Sequence, residues 1–353
     1  MKKLQTAVVG VTGYAGAELA RLLLHHPRLK GTPPVFAGRI DEKDAAHGVP
    51  LAEIHPQLAN NNGNAALRLE QFSWELLANR GVDVLFLATP HEQSREWVPE
   101  ALNRGLRVID LSGAWRLTKA ANRAVYAFDN EGTGQAEATQ SQSVYGLPEL
   151  HRAKIAGAHL VANPGCYATS VILALRPLVA AGLVDTTRGI VADSKSGVSG
   201  AGKAPTAKTH YMYAADNLSA YGVFSHRHTG ELLEQIGIGG EDIIFTPHLL
   251  PIPRGILSTI YVYFKEPQTK ASIAATYQGF FANSPMVRIY ENALPQIQYS
   301  VRTNFADIGF QVAADGTKAV IVSCLDNLLK GASGQAVQNL NVMLGWGEAE
   351  GLE

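Results

Sequence analysis

The sequence predicts an α/β protein: a doubly wound, Rossmann-type parallel sheet in the first half and an α+β domain in the second. Three observations predict it. Short, continuously apolar runs alternate with helix-length amphipathic segments as far as about Leu160, the pattern of parallel strands covered on both faces. A glycine-rich turn, Gly10-Val11-Thr12-Gly13-Tyr14-Ala15-Gly16, follows the first of those runs. Beyond Pro164 the strand-like runs lengthen and alternate with fewer helices. A length of 353 residues agrees with two domains at about 150 residues each.

Taken in order, Thr6 to Val9 is the first strand and Tyr14 to Leu24 the first helix, with Leu19, Leu22 and Leu23 on one side. Val35 to Ala37 is a second strand. Asn60 to Asn64 reads as a surface loop. Val82 to Ala88 is a buried strand, followed by a helix over Glu92 to Asn103 and a strand over Leu106 to Leu111. In the second half a helix spans Ala168 to Ala181. Thr259 to Phe264 and Ala319 to Cys324 are strands with Pro-rich turns between them, which suggests an antiparallel sheet. The tail, Ser333 to Leu344, is helical with Ala336, Val337, Leu340, Met343 and Leu344 on one face.

Composition narrows the function. Thirty Lys and Arg against 31 Asp and Glu leave a net charge of −1, which argues against a nucleic-acid partner. Ser170 to Val184, the best candidate for a membrane span, is interrupted by Arg176 and Pro177 and falls short of the ~18 apolar residues needed. Lys2 and Lys3 precede an apolar stretch too short for a signal peptide. Two cysteines exclude a disulfide framework and a four-cysteine zinc site. A reduced, cytoplasmic protein acting on a small molecule is expected. Thirty-four glycines, against a usual ~7%, point to tight turns and close backbone approaches to a ligand.

The turn from Gly10 to Gly16 stands where a dinucleotide fingerprint belongs, after a strand and at a helix start. Its spacing is G-x-x-G-x-x-G rather than G-x-G-x-x-G. An NAD site wants an acid at the tip of the second strand to hold the ribose 2′-hydroxyl. Here the strand ends Ala37-Gly38-Arg39, with Asp41 close by. Arg39 is suited to a 2′-phosphate through its planar fork, so NADP(H) is the expected cofactor. Ala88-Thr89-Pro90-His91 ends another strand at the edge where ligands lie, and Thr89 faces the cofactor.

Asn163-Pro164-Gly165-Cys166-Tyr167 places Cys166 at a helix start, where the dipole and free N–H groups stabilise a thiolate nucleophile. Cys324 lies inside an apolar strand and reads as core. Ser225-His226-Arg227-His228 offers two candidate bases; a metal site built from both histidines and Cys166 leaves no catalytic role defined and is set aside. Ser196 to Lys203 nearly matches a P-loop. Ala204 stands where the magnesium-binding hydroxyl belongs, so ATP is rejected. Ser196 and Gly197 remain candidates for holding a phosphate through backbone N–H groups.

With these motifs together, the sequence resembles the N-acetyl-gamma-glutamyl-phosphate reductases over nearly its whole length, in their longer bacterial form. Carrying the resemblance are Gly10 to Gly16 with Glu18-Leu19, Asp110 to Leu117, Tyr145 to Glu149, Asn163 to Tyr167, Ser196 to Lys203 and Tyr221 to Val223. His226 to His228, Thr246 to Gly255 and Asp326 to Gln335 extend it. The resemblance implies NADPH-dependent reduction of N-acetyl-glutamyl 5-phosphate to the 5-semialdehyde, with phosphate released, in arginine biosynthesis. It makes Cys166 the nucleophile that forms a thioester, and His228, with His226 as rival, the acid and base. It assigns Gly10, Thr12, Gly13, Tyr14, Ala15, Gly16 and Asn327 to the cofactor and Arg116, Ser199, Glu231 and Arg254 to the substrate, with no metal. It returns the last helix to the nucleotide domain. That domain is then 1–162 with 327–353, and a catalytic and dimerisation domain, 163–326, is inserted in it. A homodimer or homotetramer is implied. Related acyl-phosphate reductases, acting on aspartyl phosphate or carrier-linked aminoadipyl phosphate, are the alternative. Ser112-Gly113-Ala114-Trp115-Arg116 departs from the commoner Ser-Ala-Asp-Phe-Arg, and Gly230 replaces a frequent proline.

Overall fold

The computed structural model describes residues 3–41, 44, 47–59 and 67–352. The predicted loop Asn60–Asn64 lies outside them. Eight strands form the first sheet: β1 (Thr6–Val9), β2 (Val35–Gly38), β3 (Val49–Pro50), β4 (Arg68–Gln71), β5 (Val84–Leu87), β6 (Arg107–Asp110), β7 (Ser143–Tyr145) and β8 (Leu160–Ala162). Their order is β3-β4-β2-β1-β5-β6-β8-β7. All neighbours are parallel except β3 and β4 at the edge.

β1 and β5 are buried throughout, which is why they stand out as unbroken apolar runs. Alternate side chains feed two cores. Val8, Phe86 and Ile109 meet the helix Tyr14–His25 and the last helix, Gly334–Met343. Ala7, Leu85 and Val108 meet Val98 and Ala101 of the helix His91–Asn103. From β1 the chain winds outward to β2 and then returns to β5 on the other side. The crevice beyond the carboxyl ends of β1 and β5 is therefore the ligand position of a doubly wound sheet.

The second sheet has seven strands: β9 (Ile190–Gly197), β10 (Ser219–Ala220), β11 (Ile243–Leu250), β12 (Ile256–Tyr263), β13 (Val287–Tyr290), β14 (Ala306–Val312) and β15 (Lys318–Leu325). Their order is β10-β11-β9-β12-β15-β14-β13. The sequence suggests an antiparallel sheet, and the structure corrects this to a mixed one. β9 with β11, and β13 with β14, are parallel. In each pair a long connection carries the chain back to the same end before the second strand begins. The helices Cys166–Ala180 and Lys270–Phe280 cover one face.

The last helix also differs from its sequence pattern. It packs between Tyr14–His25 and Pro148–Ile155, and its polar side is buried with its apolar side. Internal hydrogen bonds make that burial tolerable. The Asn339 amide donates to Gly146 O at 2.8 Å and Asn163 Oδ1 at 2.9 Å. Gln338 joins a buried ion pair, Lys330 Nζ to Glu149 Oε1 at 2.7 Å.

Candidate active site

The first wall of the site is the turn after β1. Gly10 has φ +94°, and a Cβ there would stand 2.3 Å from the Ala88 carbonyl oxygen, so only glycine fits between β1 and β5. A Cβ on Gly16 would stand 2.2 Å from Gly10 O, so the third glycine allows the helix to approach the turn. The helix begins at Tyr14 with Gly13 as an N-cap that has no capping side chain. Its first N–H groups are free for an anion. Gly13, Tyr14, Ala15 and Gly16 line a cleft of about 350 Å³, and Thr89 faces them across it. Thr12 is exposed beside them, and its carbonyl accepts from Lys203 Nζ at 3.1 Å. Arg39 is exposed just past the end of β2.

The second wall is Cys166, the first residue of its helix, whose N-cap Gly165 also has no capping side chain. The thiol is partly exposed and lines the same cleft as the dinucleotide turn, together with Arg116, Arg227 and His228. A Cβ on Gly165 would stand 2.5 Å from His228 Nε2, so the imidazole lies directly against the residue before Cys166. A Cβ on Gly331 would stand 2.7 Å from Cys166 Cβ. Two glycines thus let the histidine and the last helical segment close on the cysteine from either side.

The electrostatics change one expectation. Burial pushes the Cys166 thiol above its ordinary value, although the Tyr167 N–H and the charges of Arg116 and Arg227 work the other way. Burial, then His226, Arg116 and Arg227, holds the His228 imidazole well below its ordinary value. Burial and Arg227 hold His226 at about 4. Burial thus opposes the thiolate that a helix start by itself favours, and it favours the neutral form of both imidazoles.

The two histidines separate geometrically. Their rings lie 4.7 Å apart at 81°. His228 lines both the cleft and an adjoining cavity of about 410 Å³, whereas His226 lines only the latter. His226 Nδ1 accepts from the His228 backbone N–H at 3.2 Å, and its ring packs edgewise on Tyr167, Tyr221 and Phe245.

Four further residues sit differently from the substrate and cofactor roles expected of them. Glu231 is fully buried behind the site and does not line the cleft. It binds Arg116 at 3.1 Å, the Tyr145 hydroxyl at 2.6 Å and the Gly165 N–H at 2.9 Å. Arg254 pairs with Glu18 at 2.6 Å and with Asp326 at 3.0 Å, and lines not the cleft but an adjoining cavity of about 640 Å³ along the first helix. Ser196 and Gly197 line the cavity of His226 rather than the dinucleotide cleft. Ser199, in contrast, stands at the cleft, where its hydroxyl accepts from the Asn327 amide at 2.9 Å. Asn327 Oδ1 accepts from the Gly255 N–H at 2.8 Å.

Arg116 lines the cleft while its guanidinium also donates to Asn163 O at 2.7 Å and Leu111 O at 2.8 Å. Arg227 is the group that sequence reasoning passed over. It is exposed next to Cys166 and lines both cavities. Its place between two candidate histidines was the available signal. Among the described residues no cluster of three or more His, Cys, Asp or Glu side chains is arranged to hold a metal, and no helix is long and apolar enough to cross a membrane.

Comparison with known proteins gives this architecture a family. Residues 5–158 match the semialdehyde dehydrogenase NAD binding domain, and residues 166–327 match the semialdehyde dehydrogenase dimerisation domain. Solved structures of aspartate semialdehyde dehydrogenases share the fold. That of Vibrio cholerae enzyme II, complexed with ASA, has a TM-score of 0.68 at 17% identity, covering 97% of this chain and 98% of that one. That of Candida albicans, with NADP, has a TM-score of 0.67 at 13% identity and the same coverage. Closer in sequence is the N-acetyl-gamma-glutamyl-phosphate reductase of Dehalococcoides mccartyi (strain CBDB1), 41% identical across 100% of this chain and 98% of the relative. The reductase of Methanococcus maripaludis (strain C5) is also 41% identical, across 98% and 97%. This chain belongs to the N-acetyl-gamma-glutamyl-phosphate reductase family.

Proposed function

We propose that the chain reduces N-acetyl-glutamyl 5-phosphate to N-acetyl-glutamate 5-semialdehyde, with NADPH oxidised and phosphate released, as a step of arginine biosynthesis. The observation that carries the reading is the meeting of Cys166 and His228 with the dinucleotide turn in one cleft. Residues 1–162 with 327–353 form the nucleotide-binding unit and residues 163–326 the catalytic and dimerising one. The packing of the last helix against the helix Tyr14–His25 supports that division.

The uncapped helix at Tyr14, the turn at Gly10 and the exposed Arg39 fit a dinucleotide with a 2′-phosphate. NADPH supplies the hydride. His228 takes the proton from Cys166 as the sulfur attacks the acyl carbon. The carbon–oxygen bond to phosphate breaks, and the departing phosphate draws a proton from solvent. Arg227 and Arg116, which line the cleft, supply positive charge to stabilise that departing anion. The N–H groups at the start of the Cys166 helix would hold the thioester's carbonyl oxygen as negative charge develops on it, with the hydride adding at the carbonyl carbon. Collapse to the aldehyde breaks the carbon–sulfur bond, and His228 returns its proton to the thiolate.

The test is the reverse reaction. Purified protein is given phosphate, NADP and each of three semialdehydes: N-acetyl-glutamate, aspartate and aminoadipate. NADPH should appear with the first, and only when phosphate is present. Cys166→Ala should abolish NADPH formation while still binding NADPH. Turnover in that variant, or preference for another aldehyde, overturns the reading.

A further inference from the structure

Tyr126 is only 8% exposed, and its hydroxyl is buried without a hydrogen-bond partner among the described residues. A buried polar group left unsatisfied is costly and calls for a reason. The ring has little freedom to turn away. It stacks on Phe128 at 5.3 Å and 5°, and meets the His91 ring edgewise at 5.1 Å.

The phenol occupies the space that a side chain at position 113 would need. A Cβ on Gly113 would stand 2.2 Å from the Tyr126 hydroxyl oxygen and 2.4 Å from its Cζ. Gly113 is one of the departures from the commoner motif, which has alanine there, and alanine does not fit beside this phenol. Gly113 itself lines the catalytic cleft, as do His91, Ser112 and Arg116. The hydroxyl therefore lies behind Gly113 in the wall of the cleft, within electrostatic reach of Arg116 and Arg227.

We propose that the Tyr126 hydroxyl is a ligand-binding group that donates to an oxygen of the phosphoryl group held beside Arg116 and Arg227, reaching it past the missing side chain of Gly113. The inference rests on the acyl-phosphate reading above. An ionised phosphoryl oxygen only accepts hydrogen bonds, and Tyr126 offers an unused O–H. Burial, which outweighs the opposing charges of Arg116 and Arg227, raises the phenol above its ordinary value, so the proton stays available for donation.

The experiment is Tyr126→Phe in the reverse assay with inorganic phosphate as the varied substrate. The substitution removes one oxygen and keeps the ring. The KM for phosphate should rise about tenfold, the size expected for one hydrogen bond to a charged group. The KM for NADP should stay within about twofold and the melting temperature should not fall, because no protein partner is lost. Gly113→Ala provides a second route: its Cβ displaces the phenol and should raise the KM for phosphate in the same way. An unchanged phosphate KM in Tyr126→Phe, or equal losses for phosphate and NADP, overturns the proposal. A wild-type protein whose aldehyde oxidation ignores phosphate overturns the functional reading instead, so the two failures are distinguishable.

Discussion

Glu231 accepts a hydrogen bond from the backbone N–H of Gly165 at 2.9 Å, one residue before the nucleophile. The same carboxylate binds Arg116 and the Tyr145 hydroxyl. A single buried anion therefore joins the segment that carries Arg116 to the turn that presents Cys166. Glu231→Gln keeps the shape but weakens all three contacts. It should lower kcat by about 10²-fold through misplacement of the sulfur, with little change in the KM for NADPH. Glu231→Ala should cost about 3–5 kcal/mol in urea unfolding, because Arg116 is left buried without its anion. A Gln variant with wild-type kcat would remove Glu231 from the positioning of the site.

Burial of the thiol and the imidazole makes a prediction about pH. In the proposed mechanism His228 acts as a base only while unprotonated, and burial holds it well below the ordinary histidine value of 6.5. The acidic limb of kcat/KM should therefore lie below pH 6.5. The thiol is pushed up, so inactivation by iodoacetamide should rise with pH to a midpoint above the ordinary thiol value of 9.0. An inactivation midpoint near neutrality would mean that the helix start, and not burial, governs the sulfur.

Cofactor choice should hinge on Arg39. Its guanidinium is exposed past the end of β2, and a planar fork of this kind suits a 2′-phosphate better than a hydroxyl. Arg39→Ala should raise the KM for NADPH about tenfold or more, the scale of a lost charge-assisted pair. The KM for NADH should hardly move. Equal effects on both would assign the preference to another residue.

The buried pair of Lys330 and Glu149 ties the last helical segment to the helix Pro148–Ile155, with both side chains fully buried. Lys330→Met alone should destabilise the fold by about 3–5 kcal/mol, since Glu149 keeps its charge in an apolar setting. Lys330→Met with Glu149→Leu should recover most of that loss, as an apolar pair often replaces a buried ion pair at little cost. Chemical denaturation of the single and double variants measures both effects. Because Gly331 packs on Cys166, the single variant should also lose activity at temperatures where it is still folded.

The first sheet was legible because β1 and β5 are buried throughout and β6 nearly so, and strands buried on both faces read as near-continuous apolar runs. The second sheet was only partly legible: β9 and β11 mix exposed and buried positions, and nothing in such alternation states whether neighbours run parallel. The last helix read as amphipathic because Gln338, Asn339 and Asn341 find their partners in other segments, which a local pattern does not reveal.

By itself the sequence determined the local chemistry: a glycine turn between a strand and a helix, a cysteine at a helix start, and two histidines flanking an arginine. These follow from short-range geometry that a few residues specify. Tertiary structure decided what those pieces mean to one another. It set His228 against Gly165 and left His226 in the adjoining cavity, moved Glu231 behind the site, and brought Arg227 to the sulfur. It also buried the sulfur of Cys166, which opposes the thiolate that the helix start favours. Burial and long-range electrostatics arise from residues far apart in the chain, whereas the helix start is written in a few neighbouring residues.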